Sequence, residues 1–223
     1  LDPLVKYLTL DEDGNLRLTE ELTISDDYKR YAPDHRRYWR AIAAELQLFG
    51  ANTFASIFRG GKGVPYREVL TDVCDKMKVN YNPSASTRFI ESNLLVKILT
   101  DSLDEMDEAA RRKLVEELNL ETTSFSGPAI AIAPQTAVQL SGFAAYQVAV
   151  IVANAVAQQV LGHGLAFATN MALTRSLAVF AGPIGWAVSG LWTLATISGP
   201  AYRVTIPSVV QVAFLRAKAN QRA

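Results

Sequence analysis

Through the first half of the chain apolar residues recur at three- and four-residue steps, the spacing of helices that bury one face. In "DHRRYWRAIAAELQLFG" the stripe is Trp39, Ile42, Ala43, Leu46 and Phe49, and Gly50 suits the position just past a helix end. A short helix from Asn52 to Arg59 is expected next, capped by Asn52 and closed by "GGKG". Pro65 then opens "PYREVLTDVCDKMKV", where Val69, Val73 and Met77 form one stripe and Leu70 and Cys74 an adjacent one. After "NYNPSAST", a loop of turn formers, residues 86–100 predict a helix with Phe89, Ile90, Leu94, Leu95 and Ile98 inward. In "DEMDEAARRKLVEELN" acids precede bases, which suits the helix dipole and supplies i, i+4 pairs. Residues 3–8 read as the end of a short helix, and "DEDGNLRL" as a polar turn centred on Asp13-Gly14-Asn15. No run alternates with the period of a strand, so the expected fold class is all-α.

The pattern changes at residue 122. From Thr122 to Thr174 there is no Asp, Glu, Lys or Arg, and after Arg175 the gap continues to Tyr202. Residues 135–161 are uncharged and free of proline, about 40 Å of helix at ~1.5 Å per residue. That length suffices to cross a bilayer, although Gln139, Gln147, Asn154, Gln158, Gln159 and many alanines favour insertion weakly. Between Leu165 and Ile197 the break "AGPIGW" predicts two shorter pieces, a re-entrant hairpin or a buried pair, with small residues that let helices approach closely. "RVTIPSVVQVAFLRAKANQRA" predicts a final helix with Pro207 as its first residue, behind Thr205 or Ile206.

Charge turns this contrast into an organisation. The net charge of zero hides two halves: residues 1–121 hold all 22 acids and 17 of the 22 bases, whereas residues 122–223 hold five bases and no acid. The expected domains are therefore an acidic helical unit over 1–121 and an apolar, acid-free helical region over 122–223 ending in a basic helix. A neutral whole gives no field that argues for nucleic acid. The arginines of the acid-free half need partners from outside it, either carboxylates of residues 1–121 or the phosphates of an anionic membrane. Arg175, Arg203 and Arg216, with the aromatic Trp186, Trp192 and Tyr202, are thus candidate membrane or interdomain contacts.

Catalytic patterns are absent from the sequence: no HExxH, no Cys/His ligand spacing and no G-x-S-x-G elbow. The two histidines, His35 and His163, stand far apart in sequence, and the lone Cys74 excludes an intrachain disulfide and fits a reducing compartment. The turn Arg59, Gly60, Gly61 and Lys62 is a candidate anion-contacting site, since glycines free backbone N–H groups beside a base. It lacks the spacing of a phosphate-binding loop and reads first as a basic turn. Arg36, Arg37 and Arg40 read as a solvated basic face. No cofactor or metal is expected.

The segments "HRRYWRAIAAELQLFG", "FRGGKG" with "YREVLTDVCDKMKV", "LGHGL", "GPIGW" and "GPAYRVTIPSVVQVAFLR" together resemble the YaaW family of bacterial proteins, sometimes labelled as related to the ubiquinol-cytochrome c chaperone. The resemblance supplies no catalytic residues. It implies a bacterial protein, placed in the cytoplasm or on the cytoplasmic face of the inner membrane, and through its label a part in assembling a respiratory complex. Family members begin with an extra acidic, Leu-rich helix, so residues are expected upstream of Leu1. The leading expectation is a non-enzymatic helical protein that associates with or inserts into a membrane, with oligomerisation possible in that form. The second is a soluble binding module or assembly chaperone whose apolar helices form its own core, with a protein as partner.

Overall fold

A computed structural model describes residues 1–54, 63–104, 107–117, 142–162 and 201–221, and all the regular elements among them are helices. In chain order these are α1 (Asp2–Thr9), α2 (Asp26–Tyr31), α3 (Trp39–Phe54), α4 (Tyr66–Lys76), α5 (Thr87–Asp104), α6 (Glu108–Glu117), α7 (Gly142–Leu161) and α8 (Tyr202–Gln221). The fold class is all-α.

The stripes account for the packing. Ile42, Leu46 and Phe49 of α3, Val69, Leu70, Val73 and Cys74 of α4, and Ile90, Leu94, Leu95 and Ile98 of α5 are all buried. Cys74 is fully enclosed, and burial pushes its thiol up to about 12. Helix α8 runs through the middle of this arrangement, touching α1, α3, α4, α5 and α7. Its Val204, Val209, Val210, Ala213 and Phe214 share one apolar core with residues of α1, α3, α4, α5 and α7. The Tyr146 and Phe214 rings stack at 6.4 Å where α7 meets α8.

Four expectations are corrected by the structure. Gly50 is not a helix end: α3 continues through it to Phe54, absorbing Asn52 into the same helix. A Cβ at residue 50 would lie 2.4 Å from Val69 Cγ2, so glycine is required there by the close approach of α4. Trp39 is 55% exposed while its neighbour Tyr38 is 1% exposed, because the turn before α3 aims Tyr38 at Tyr28 and His35. Phe89 likewise faces outward at 40% exposure. Pro207 lies inside α8 rather than at its start. An interior proline costs ~3 kcal/mol of helix stability, and the burial of Val204, Ile206, Val209 and Val210 around it offsets that loss.

The 11–15 turn closes on itself. Asp11 Oδ1 accepts from the backbone N–H groups of Asp13 at 3.0 Å and Asn15 at 2.8 Å, and Gly14 has φ +80°.

Candidate functional site

Helix α8 leaves the acid-free half carrying hydroxyl and guanidinium groups, and the acidic half supplies a partner for each of three. Near its start the Tyr202 hydroxyl donates to Asp72 Oδ1 at 2.9 Å, and Lys76 Nζ stands 5.5 Å from the Tyr202 ring centroid. The neighbouring Arg203 Nη1 lies 2.9 Å from Glu12 Oε1. Near the other end Arg216 donates from Nε to Glu91 Oε2 at 2.8 Å, while the Tyr66 hydroxyl donates to Glu91 Oε1, also at 2.8 Å. Glu91 is 3% exposed, so a buried carboxylate is held by two donors, one on each oxygen.

Helical phase explains why carboxylates are found inside. Glu91 precedes Leu95 by four residues and Ile98 by seven, and Asp72 follows Val69 by three, so each sits within an apolar stripe. Burial raises the Glu91 carboxyl above the ordinary glutamate value, with the Tyr66 hydrogen bond and the Arg216 charge pulling it partly back. Burial likewise raises Asp72 against the opposing Tyr202 hydrogen bond. The Tyr66 hydroxyl is pushed well above its usual value, first by burial and then by the Glu91 charge, which makes it a fixed hydrogen-bond donor. A third buried carboxylate, Glu45, accepts from the Glu21 backbone N–H at 3.0 Å, and burial raises it too.

These groups are consumed in holding helices together. The cleft beside Glu91, Arg88 and Arg216 measures about 20 Å³, room for roughly one water. A recess of about 540 Å³ lies between the 11–17 turn and the end of α7, with charges of both signs, Lys6, Asp11, Glu12, Asp13 and Arg17, on its walls. Among the described residues no group of three or more His, Cys, Asp or Glu is placed to hold a metal ion.

Of the residues singled out from the sequence, Tyr202, Arg203 and Arg216 thus meet Asp72, Glu12 and Glu91. Arg59, Gly60, Gly61, Lys62, Arg175, Trp186 and Trp192 lie outside the described residues. Sequence reasoning missed Glu91, Tyr66 and Asp72. The signal was available for the two acids, each an acidic residue in phase with an apolar stripe, but nothing in one sequence says which base answers which acid.

Among known proteins, a UPF0174 protein of Helicobacter pylori is 48% identical over 219 residues, covering 98% of this chain and 86% of the relative. A second from the same species is 43% identical over 206 residues, covering 90% of this chain and 98% of the relative. The UPF0174 protein YaaW of Escherichia coli is 32% identical over 216 residues, covering 95% of this chain and 86% of the relative. No solved structure matches significantly. The profile of the family described as ubiquinol-cytochrome C chaperone matches residues 34–211, from the turn before α3 to the middle of α8, a span that includes Tyr66, Asp72, Glu91, Tyr202 and Arg203. On that match and on alignment along nearly its whole length with UPF0174 relatives, the chain belongs to the ubiquinol-cytochrome C chaperone family and to the UPF0174 group that includes YaaW.

Proposed function

We propose that the protein is a non-enzymatic, protein-binding helical module of the assembly-chaperone kind. The observation that carries this reading is the family match across residues 34–211. The geometry is in keeping with it, since Glu91, Asp72 and Glu45 are each engaged by a donor within the fold rather than aimed at a substrate-sized cleft. On this reading α7 and α8, the described helices of the acid-free half, are packing partners of the acidic half.

Membrane insertion, the other expectation, draws less support. Arg203 and Arg216 are paired with Glu12 and Glu91, so neither requires a lipid phosphate. No helix among the described residues is long and apolar enough to cross a membrane.

Cross-linking the tagged chain in living cells, followed by carbonate washing of the membranes, separates the two readings. The module reading expects cross-links to one client protein, release of the chain by carbonate, and a lower assembled level of that client when the gene is deleted. A chain retained in washed membranes with no client attached would overturn it.

A further inference from the structure

Opposite in character to the paired carboxylates of the interior is a surface whose cations are left over. From Tyr28 to Arg40 the chain carries five bases, Lys29, Arg30, Arg36, Arg37 and Arg40, against one acid, Asp34. All five bases are exposed. Two other bases of the acidic half do find carboxylates, the half-buried Lys97 meeting Asp101 at 2.6 Å and the exposed Arg112 meeting Glu108 at 2.7 Å. Among the described residues, no carboxylate lies within ion-pair distance of Arg30, Arg36, Arg37 or Arg40.

Three of the four guanidiniums rest on rings instead. Arg37 Cζ lies 4.3 Å and Arg30 Cζ 5.4 Å from the same Tyr31 ring centroid, and Arg40 Cζ lies 5.2 Å from that of Trp39. The base beneath them is fixed, because the buried Tyr38 packs edge-on against Tyr28 and His35, each at 5.6 Å between centroids. A guanidinium lying over a ring keeps its N–H groups in its own plane, where they can meet a carboxylate in bidentate fashion. The exposed Trp39 and arginines with the half-buried Tyr31 also match the composition in which binding energy concentrates at protein interfaces.

We propose that this arginine–aromatic face docks an acidic segment of a protein partner, an inference that rests on the protein-binding reading above. Charge complementarity selects the partner's sign, and the occupied rings select its class. Guanidiniums over Tyr31 and Trp39 compete with bases that would stack there, which disfavours single-stranded nucleic acid. An anionic bilayer would draw Trp39 into the interface, away from Arg40, and would meet Asp26 and Asp27 at the opposite end of α2. A short acidic chain reaches the arginines without meeting either obstacle.

The test is an anisotropy titration of the purified chain with a labelled peptide of alternating Glu and Leu, with phosphatidylglycerol vesicles and a single-stranded RNA as competitors. Binding should weaken about tenfold or more in Arg37→Glu and also in Trp39→Ala, which leaves the charge unchanged, and little in Lys78→Glu, the same charge change on an exposed base at the end of α4. Thermal melts of these surface variants should match the parent. Absence of peptide binding, an equal loss in Lys78→Glu, or displacement of the peptide by vesicles or RNA would overturn the proposal. Repeating the cellular cross-linking with Arg37→Glu separates the two readings. A client kept by the variant removes the docking face and leaves the protein-binding reading standing, whereas a parent chain with no client removes that reading itself.

Discussion

Helices α7 and α8 come from the same acid-free half and lie against each other, yet they are held by different forces. From Tyr146 to Ala157 α7 is buried almost without interruption, and nearly all of that surface is Ala, Val and Ile. Such a face is held by shape and by the exclusion of water, forces with little directionality. Helix α8 buries Val204, Ile206, Val209, Val210, Ala213 and Phe214 together with the polar Thr205, Ser208 and Gln211, and its Tyr202, Arg203 and Arg216 are tied to Asp72, Glu12 and Glu91. Directional pairs at both ends resist rotation and sliding that an apolar face tolerates. Arg203 and Arg216 thus act as register pins for the helix at the centre of the fold.

The comparison breaks most visibly at the contact the two helices share. Phe214→Ala removes a ring stacked on Tyr146 and buried to 5% exposure, and should cost about 3–5 kcal/mol in urea unfolding followed by circular dichroism. If that loss is under about 1 kcal/mol, α7 and α8 do not depend on each other as described.

Arg216→Leu tests a pin. It leaves Glu91 buried with one donor, and because Arg216 is itself 44% exposed the expected loss is about 2 kcal/mol, below the range for a fully buried pair. Adding Glu91→Leu should recover much of it, since two apolar groups replace the unpaired acid. A double variant no better than the single would show that the loss comes from packing of the arginine stem instead.

The same carboxylate sharpens the picture through pH. A folded-state value raised above that of the unfolded chain means that the native state binds the proton more tightly. Its contribution is therefore fully present below the ordinary glutamate value near 4.5 and is lost as pH rises through the higher folded-state value. Glu91→Gln, neutral at every pH, should give a stability curve that falls less steeply across this window. A curve parallel to that of the parent would remove Glu91 from the account.

The smallest effect is expected at the other end of α8. Arg203 and Glu12 are 30% and 50% exposed, so Arg203→Leu should shift stability by about 0.5 kcal/mol or less, and raised salt should shrink the difference further. A loss as large as that of Arg216→Leu would contradict the distinction between an exposed pin and a buried one.

Much of the helical order was legible, because a 3.6-residue repeat of apolar positions forces a buried face whatever the neighbours are. The stripes of α4 and α5 name most of their core residues, although Phe89 faces outward and the buried Val96 and Leu99 lie outside the stripe. What misled were positions whose meaning depends on another helix. Glycine is common at helix ends, but Gly50 is set by Val69 across the α3–α4 contact. Pro207 usually opens a helix, but burial on several sides of α8 carries the helix through it.

The sequence alone determined that this is a helical protein made of two chemically unlike halves, and that the arginines of the acid-free half must look elsewhere for a counter-charge. Those conclusions rest on local periodicity and on counting charges, which need no coordinates. Only the tertiary structure decided that Arg216 meets Glu91 together with Tyr66, that Arg203 meets Glu12, and that Arg30, Arg36, Arg37 and Arg40 meet no carboxylate among the described residues. Pairing depends on distances of a few ångströms between residues up to 191 positions apart, and such distances are fixed by how the helices pack.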